Sequence, residues 1–103
     1  IKIERTKICG GGAKSPLWKK MIANILNIKV DVIESEEGPA LGGAMLAAVA
    51  NGEFASVEEA AAKIVKVIDT VEPEPELAAK YEERYQKFVK IYPTVKELFQ
   101  EII

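Results

Sequence analysis

Ile8-Cys9-Gly10-Gly11-Gly12-Ala13-Lys14-Ser15-Pro16 decides how the rest of the chain is read. An apolar stretch runs into three consecutive glycines, and helix-start chemistry follows at once. Ser15 is a good N-cap, and Pro16 fits the first helical position, where a missing N–H costs nothing. Three glycines leave bare backbone whose N–H groups can approach a ligand closely. A helix N-terminus adds the positive end of its dipole, so the segment has the makings of an anion site. A tight strand-to-helix connection without a ligand is the plainer alternative.

Two familiar phosphate motifs do not fit. Lys14-Ser15 resembles the end of a P-loop, but the required glycines would fall at Ile8 and Ala13. The dinucleotide pattern Gly-x-Gly-x-x-Gly accepts Gly10 and Gly12 and then meets Ser15. Asp31 or Glu34 stands near the distance expected for a ribose contact, which keeps a Rossmann-like dinucleotide binder as a rival reading.

Outward from the glycines, the chain reads as α/β. Upstream, Arg5 to Cys9 is a strand; downstream, Ser15 to Asn27 is amphipathic. In that helix Leu17, Trp18, Met21, Ile22, Ile25 and Leu26 make one apolar stripe, with Lys19, Lys20 and Asn24 outside it. Trp18 has the chemistry to stack on an adenine, but an aromatic on such a stripe reads first as core. Ile28 to Ile33 alternates at period two and is a second strand. Pro39 to Asn51 is a helix apolar nearly all round, with Ala40, Gly43, Ala44, Ala47 and Ala48 as a row of small side chains; that pattern predicts burial. Gly42 and Gly43 each cost about 1 kcal/mol against alanine, which points to close approach of a neighbouring backbone or of a bound ligand.

Ser56-Val57-Glu58-Glu59 is a capping box opening a third helix through about Val67. Ile68 to Glu76, with Glu72-Pro73-Glu74-Pro75-Glu76, reads as an extended, solvated linker. Leu77 to Tyr92 is a long helix, and Pro93 kinks or restarts it. The order strand, helix, strand, then mostly helix gives one βαβ unit plus helices. Two strands are too few for a stable open sheet, so further strands are expected from elsewhere in a longer chain. The abrupt start in a strand, without methionine, carries the same expectation.

Length and composition bound the function. At 103 residues the chain is at most one domain, and 49% apolar with 29% charged residues is ordinary for a globular protein. A net charge of −2 with no basic cluster argues against nucleic acid or an anionic membrane as the main partner. The longest apolar run, Ala40 to Ala50, is too short to span a bilayer. With no histidine, these residues offer neither histidine acid/base catalysis nor a histidine zinc site. Cys9 is the only cysteine and reads as a small buried hydrophobe in a reducing, cytoplasmic setting.

Gly10-Gly11-Gly12-Ala13-Lys14-Ser15-x-x-Trp18, Ile25-Leu26 and Glu36-Glu37-Gly38-Pro39-Ala40-Leu41-Gly42-Gly43-Ala44, in that order, resemble the C-terminal part of the FGGY carbohydrate kinases. Within that family the likeness is to the xylulose kinase branch. It continues through Tyr81, Tyr85 and Ile91-Tyr92-Pro93, so it covers residues 1–103 as an incomplete part of the C-terminal, nucleotide-binding domain.

The resemblance implies a ribonuclease H-like lobe of the actin and Hsp70 ATPase type. It also implies transfer of the ATP γ-phosphoryl to a sugar hydroxyl, with Mg²⁺. Gly11 and Gly12 would lie against the phosphates and ribose, Ser15 near the adenosine, with Gly10 and Ala13 completing the loop. The Gly- and Ala-rich second helix would pack behind that loop. The catalytic aspartate, the sugar pocket and an N-terminal phosphate loop would lie upstream, so no catalytic residue and no metal ligand is assigned here. The isolated chain is expected to be inactive, with ATP and the remainder of a kinase chain as partners. A stand-alone regulatory or binding domain that dimerises through exposed surface is the alternative from another class.

Overall fold

The computed structural model describes residues 1–103. Strand β1 spans Arg5–Ile8 and leads into a short 3₁₀ turn at Gly11–Lys14. Helix α1 follows at Pro16–Leu26 and strand β2 at Lys29–Ile33. Helices α2 (Gly38–Ala50) and α3 (Val57–Ile64) come next, then strand β3 (Val67–Val71). Helices α4 (Pro75–Phe88) and α5 (Ile91–Ile102) complete the chain.

The boundaries follow local chemistry. Ser15 caps α1, its Oγ accepting the Trp18 N–H at 3.2 Å, and Pro16 sits in the first turn. Asn27 ends α1 at φ 50°, the left-handed position asparagine tolerates, and the Ile28 N–H returns to the Ala23 carbonyl at 3.2 Å. Ser56 caps α3 through the Glu59 N–H at 3.1 Å. Glu59 Oε2 reaches back to the Ala55 N–H at 2.9 Å, one residue before the cap.

The sheet has three strands in the order β1-β2-β3. β1 and β2 are parallel, with Lys7 opposite Asp31 and Ile8 opposite Val32. β3 runs antiparallel to β2, Asp31 opposite Thr70, with an irregularity at Val32/Ile33. The third strand corrects the linker expected at Ile68 to Glu76. Val67–Val71 supplies β-branched residues that pair with β2, and only beyond it do Pro73 and Pro75 forbid pairing. α3 correspondingly ends at Ile64, because Val65 is already extended.

Val30, at 0% exposure, and Val32 face α1, whose Ala23 and Asn24 are buried. α4 lies beside α1, and the Asn24 Oδ1 accepts the Glu74 N–H at 2.6 Å where α4 begins. Asn24 therefore joins the interior rather than the solvated face expected for it. α2 and α3 pack on each other around Ala60.

Eight residues are buried, and the radius of gyration is 18.8 Å, against about 13 Å for a compact chain of this size. The elements are spread, and two burial expectations fail as a result. α2 has no buried residue, and a Cβ added at Gly42 or Gly43 would meet nothing within 4 Å. Leu17, Trp18, Ile25 and Leu26 are each more than half exposed. Periodicity shows which side chains share a face; three strands and their adjoining helix supply too little surface to cover it.

Candidate functional site

At the carboxyl ends of the parallel pair β1 and β2 a cleft of 210 Å³ opens, the position where open α/β sheets bind ligands. Gly10 and Ala13 form its glycine-turn wall, and Lys14 and Lys19 stand beside them. Ile33 at the end of β2 and Glu34 to Glu36 in the connection to α2 form the opposite wall.

Gly10 holds φ 87° and ψ −174°, a combination open essentially to glycine alone. That geometry ends β1 and swings the chain into the 3₁₀ turn. The Ala13 N–H then bonds the Gly10 carbonyl and the Ser15 N–H the Gly12 carbonyl, both at 3.1 Å. Gly11 has an ordinary backbone conformation and open space where a Cβ would be. Gly12 is different: its Cβ would lie 2.8 Å from Trp18 Nε1. Of the five residues singled out in the sequence, Gly10 and Ala13 line the cleft. Gly11, Gly12 and Ser15 are on the same turn but outside the cleft lining. The hydroxyl oxygen of Ser15 is engaged as the α1 cap.

The charges around the cleft are mixed. Lys14 Nζ pairs with Glu36 Oε1 at 2.9 Å, fastening the glycine turn to the β2–α2 connection; both side chains are exposed, so the pair exchanges readily. Lys19 is 15% exposed and lies 3.7 Å from Asp69. Sequence reading placed Lys19 outside the apolar stripe; β3, unseen in the sequence, is what brings Asp69 to it. Cys9, expected in the core, is exposed at the cleft, its Sγ 2.7 Å from where a Gly38 Cβ would stand. Gly38 thus admits the start of α2 against the end of β1.

Of the acidic residues of the dinucleotide rival, Asp31 is outside the cleft lining and Glu34 is part of it. Asp31 lies on the sheet face, gripped by Arg5 and Thr70, and those bonds hold its carboxyl below the usual carboxylate range against the opposing effect of desolvation. Glu34 is on the cleft rim, 3.8 Å from Lys66. A broader depression of 420 Å³ lies between Lys2, Asn27 and Glu72, walled by the ion pairs Lys2–Glu4 and Lys29–Glu72. It lacks the glycine turn. Nowhere do three or more Cys, Asp or Glu side chains gather in a set that could hold a metal ion, and no helix is long and apolar enough to cross a membrane.

Residues 1–51 match the FGGY family of carbohydrate kinases, C-terminal domain. The chain is 39% identical over 89 residues to a xylulose kinase of Bacillus subtilis, covering 86% of the chain and 18% of that protein. It is 38% identical over 98 residues to a ribulokinase of Halalkalibacterium halodurans, covering 89% of the chain and 17% of that protein. The fold matches the crystal structure of a ligand-bound xylulose kinase from Lactobacillus acidophilus with a TM-score of 0.84 at 20% identity, over 96% of the chain and 20% of that structure. The chain thus spans about a fifth of the length of the relatives it matches. By sequence and by fold, it belongs to the FGGY carbohydrate kinases and corresponds to part of their C-terminal domain.

Proposed function

We propose that this chain forms the adenosine- and phosphate-facing wall of the ATP site in a sugar kinase. Gly10, Gly11, Gly12, Ala13 and Ser15 line up as the nucleotide-binding turn. The observation that carries this reading is the cleft at the carboxyl ends of β1 and β2, bounded by Gly10 in its glycine-only conformation and by Ala13. Bare backbone there allows close approach of a phosphate or ribose, and α1 begins immediately behind it.

The reaction is transfer of the ATP γ-phosphoryl to a sugar hydroxyl, for which acceptor, metal and phosphates must be positioned together. This chain contributes one wall only. Mg²⁺ arrives with the nucleotide phosphates, and the sugar, the catalytic aspartate and the remaining phosphate contacts belong to other parts of a kinase. The chain alone is therefore inactive. Likeness to xylulose kinases favours D-xylulose as the acceptor, giving D-xylulose 5-phosphate; likeness to a ribulokinase keeps D-ribulose or L-ribulose as the competing acceptor. Titration of the chain with ATP and Mg²⁺, followed by amide NMR, tests the wall. Phosphorylation of xylulose against ribulose by a kinase carrying this sequence tests the acceptor.

A dimerising module is the second reading, supported by the free edge of β1 and by exposed Leu17, Ile25, Phe88 and Phe99. Sedimentation equilibrium separates the two. A tight dimer with the glycine turn protected from exchange favours the module, and a monomer that binds MgATP favours the kinase wall.

A further inference from the structure

Trp18 is the one large aromatic beside the glycine turn, and its indole lies against that turn. On the same helix face Met21 and Ile22 are half-buried, and the Trp18 side chain is 51% exposed. What the indole does touch is Gly12. A Cβ there would stand 2.8 Å from Nε1 and 2.9 Å from Cδ1, closer than real side-chain carbons come.

Two glycines of the triplet have a structural reason of their own, and the reasons differ. Gly10 needs its positive φ, and Gly11 has neither a special φ nor a neighbour within 4 Å. Gly12 has an ordinary φ as well, so the indole is what a side chain there would have to displace. Three contacts close a ring. The Gly12 carbonyl accepts the Ser15 N–H at 3.1 Å, the Ser15 Oγ accepts the Trp18 N–H at 3.2 Å, and the Trp18 indole covers Gly12.

We propose that Trp18 is a positioning residue for nucleotide binding, an indole clamp that holds the Gly10–Ser15 turn in its binding shape and favours glycine at position 12. This rests on the nucleotide reading of the turn. The clamp removes a cost that a loose glycine loop would bear on binding, since ordering mobile groups at an interface subtracts from affinity. Glycine has more backbone freedom to lose than any other residue, so a triplet needs such a restraint more than an ordinary turn does.

The test is a cycle of Gly12→Ala, Trp18→Ala and the double variant, with Trp18→Phe as the conservative control. MgATP affinity is read by amide shifts, and folding by circular dichroism. Trp18→Ala is expected to weaken MgATP about fivefold, the order of the affinity cost of one or two newly mobile groups. Trp18→Phe should keep most of the affinity. Gly12→Ala should weaken binding similarly and raise acrylamide quenching of Trp18, the chain's single tryptophan. Once the indole is gone the added methyl has nothing to displace, so the double variant should bind no worse than Trp18→Ala alone. Unchanged affinity in Trp18→Ala, or losses that multiply in the double variant, overturn the clamp while leaving the nucleotide reading standing. A wild-type chain that shows no MgATP response, with quenching still raised by Gly12→Ala, overturns the nucleotide reading. It then leaves the indole contact as turn packing alone.

Discussion

Arg5 of β1 grips Asp31 of β2 with a two-pronged hydrogen bond, Nε to Oδ2 at 2.8 Å and Nη2 to Oδ1 at 2.7 Å. Thr70 of β3 donates its Oγ1 hydrogen to the same Oδ1 at 2.8 Å, so one carboxylate ties all three strands. The grip lies on the sheet face turned away from Val30 and Val32. Asp31 is only 2% exposed, yet its cover is the guanidinium itself, 59% open to solvent. Salt therefore screens the pair in part.

The Asp31 carboxyl is held below its usual range first by the Arg5 hydrogen bond and then by Thr70, and the Arg5 guanidinium is raised in turn. A depressed folded-state pKa stabilises the fold above the unfolded value of about 3.9, and the gain is lost as pH falls through the folded value. Denaturation followed from pH 7 to pH 2 should show stability falling on the acid side. Asp31→Asn should be less stable at pH 7 and show a shallower acid limb. An unchanged acid limb in that variant would remove Asp31 from the account. Arg5→Lys should also lose stability, since an ammonium cannot reproduce the two-pronged contact.

Gly10 and Gly11 should separate in their response to alanine. Gly10→Ala forces a side chain into φ 87°, ψ −174°, and should cost about 1–3 kcal/mol in urea denaturation. Gly11→Ala meets open space and should change stability by less than about 0.5 kcal/mol, yet weaken MgATP if the turn faces phosphate. Equal stability losses at the two positions would contradict the backbone argument.

Asn24→Ala should cost about 1–3 kcal/mol, because it strands the Glu74 N–H that Asn24 Oδ1 now accepts at 2.6 Å. Hydrogen exchange locates the effect: faster exchange at Glu74 and the first turn of α4, with β1 unaltered. A uniform change along the chain would mean that Asn24 acts through general packing instead.

How far the sequence revealed all this depended on whether a signal was local. The turn from β1 to α1 was legible because Gly10, Ser15 and Pro16 each carry their own backbone rule. β3 was not, because the prolines at 73 and 75 dominate that stretch and the partner strand lies 39 residues away, Asp31 to Thr70. Asp31 read as a candidate ribose contact and Arg5 as the start of a strand; only the register makes them a pair. The burial predicted for α2, Trp18 and Cys9 failed for a shared reason. Apolar character says that a face gains from cover, and it does not say that these 103 residues provide it. Pro93 was expected to interrupt the last helix; the break falls at Val89–Lys90 instead. Val89 is the residue whose carbonyl a proline at 93 cannot reach with an N–H.

α5 should be the least protected helix. Its residues include none that are buried, and beyond the Tyr92–Phe99 ring contact at 6.5 Å within the helix it has little packed against it. Regions with few buried apolar contacts open at low free energy. Native-state hydrogen exchange should show α5 exchanging well before α1 and β2. Matched protection in α5 would reveal a partner for Leu98, Phe99 and Ile102, such as a second copy.

The most direct measurement is an amide NMR titration of the chain with ATP in the presence of Mg²⁺. Shifts concentrated at Gly10 to Ser15, saturating in the millimolar range, are the predicted result, and they would identify this turn as the nucleotide wall. Shifts confined to other residues, or none along the chain at saturating ATP, would contradict it.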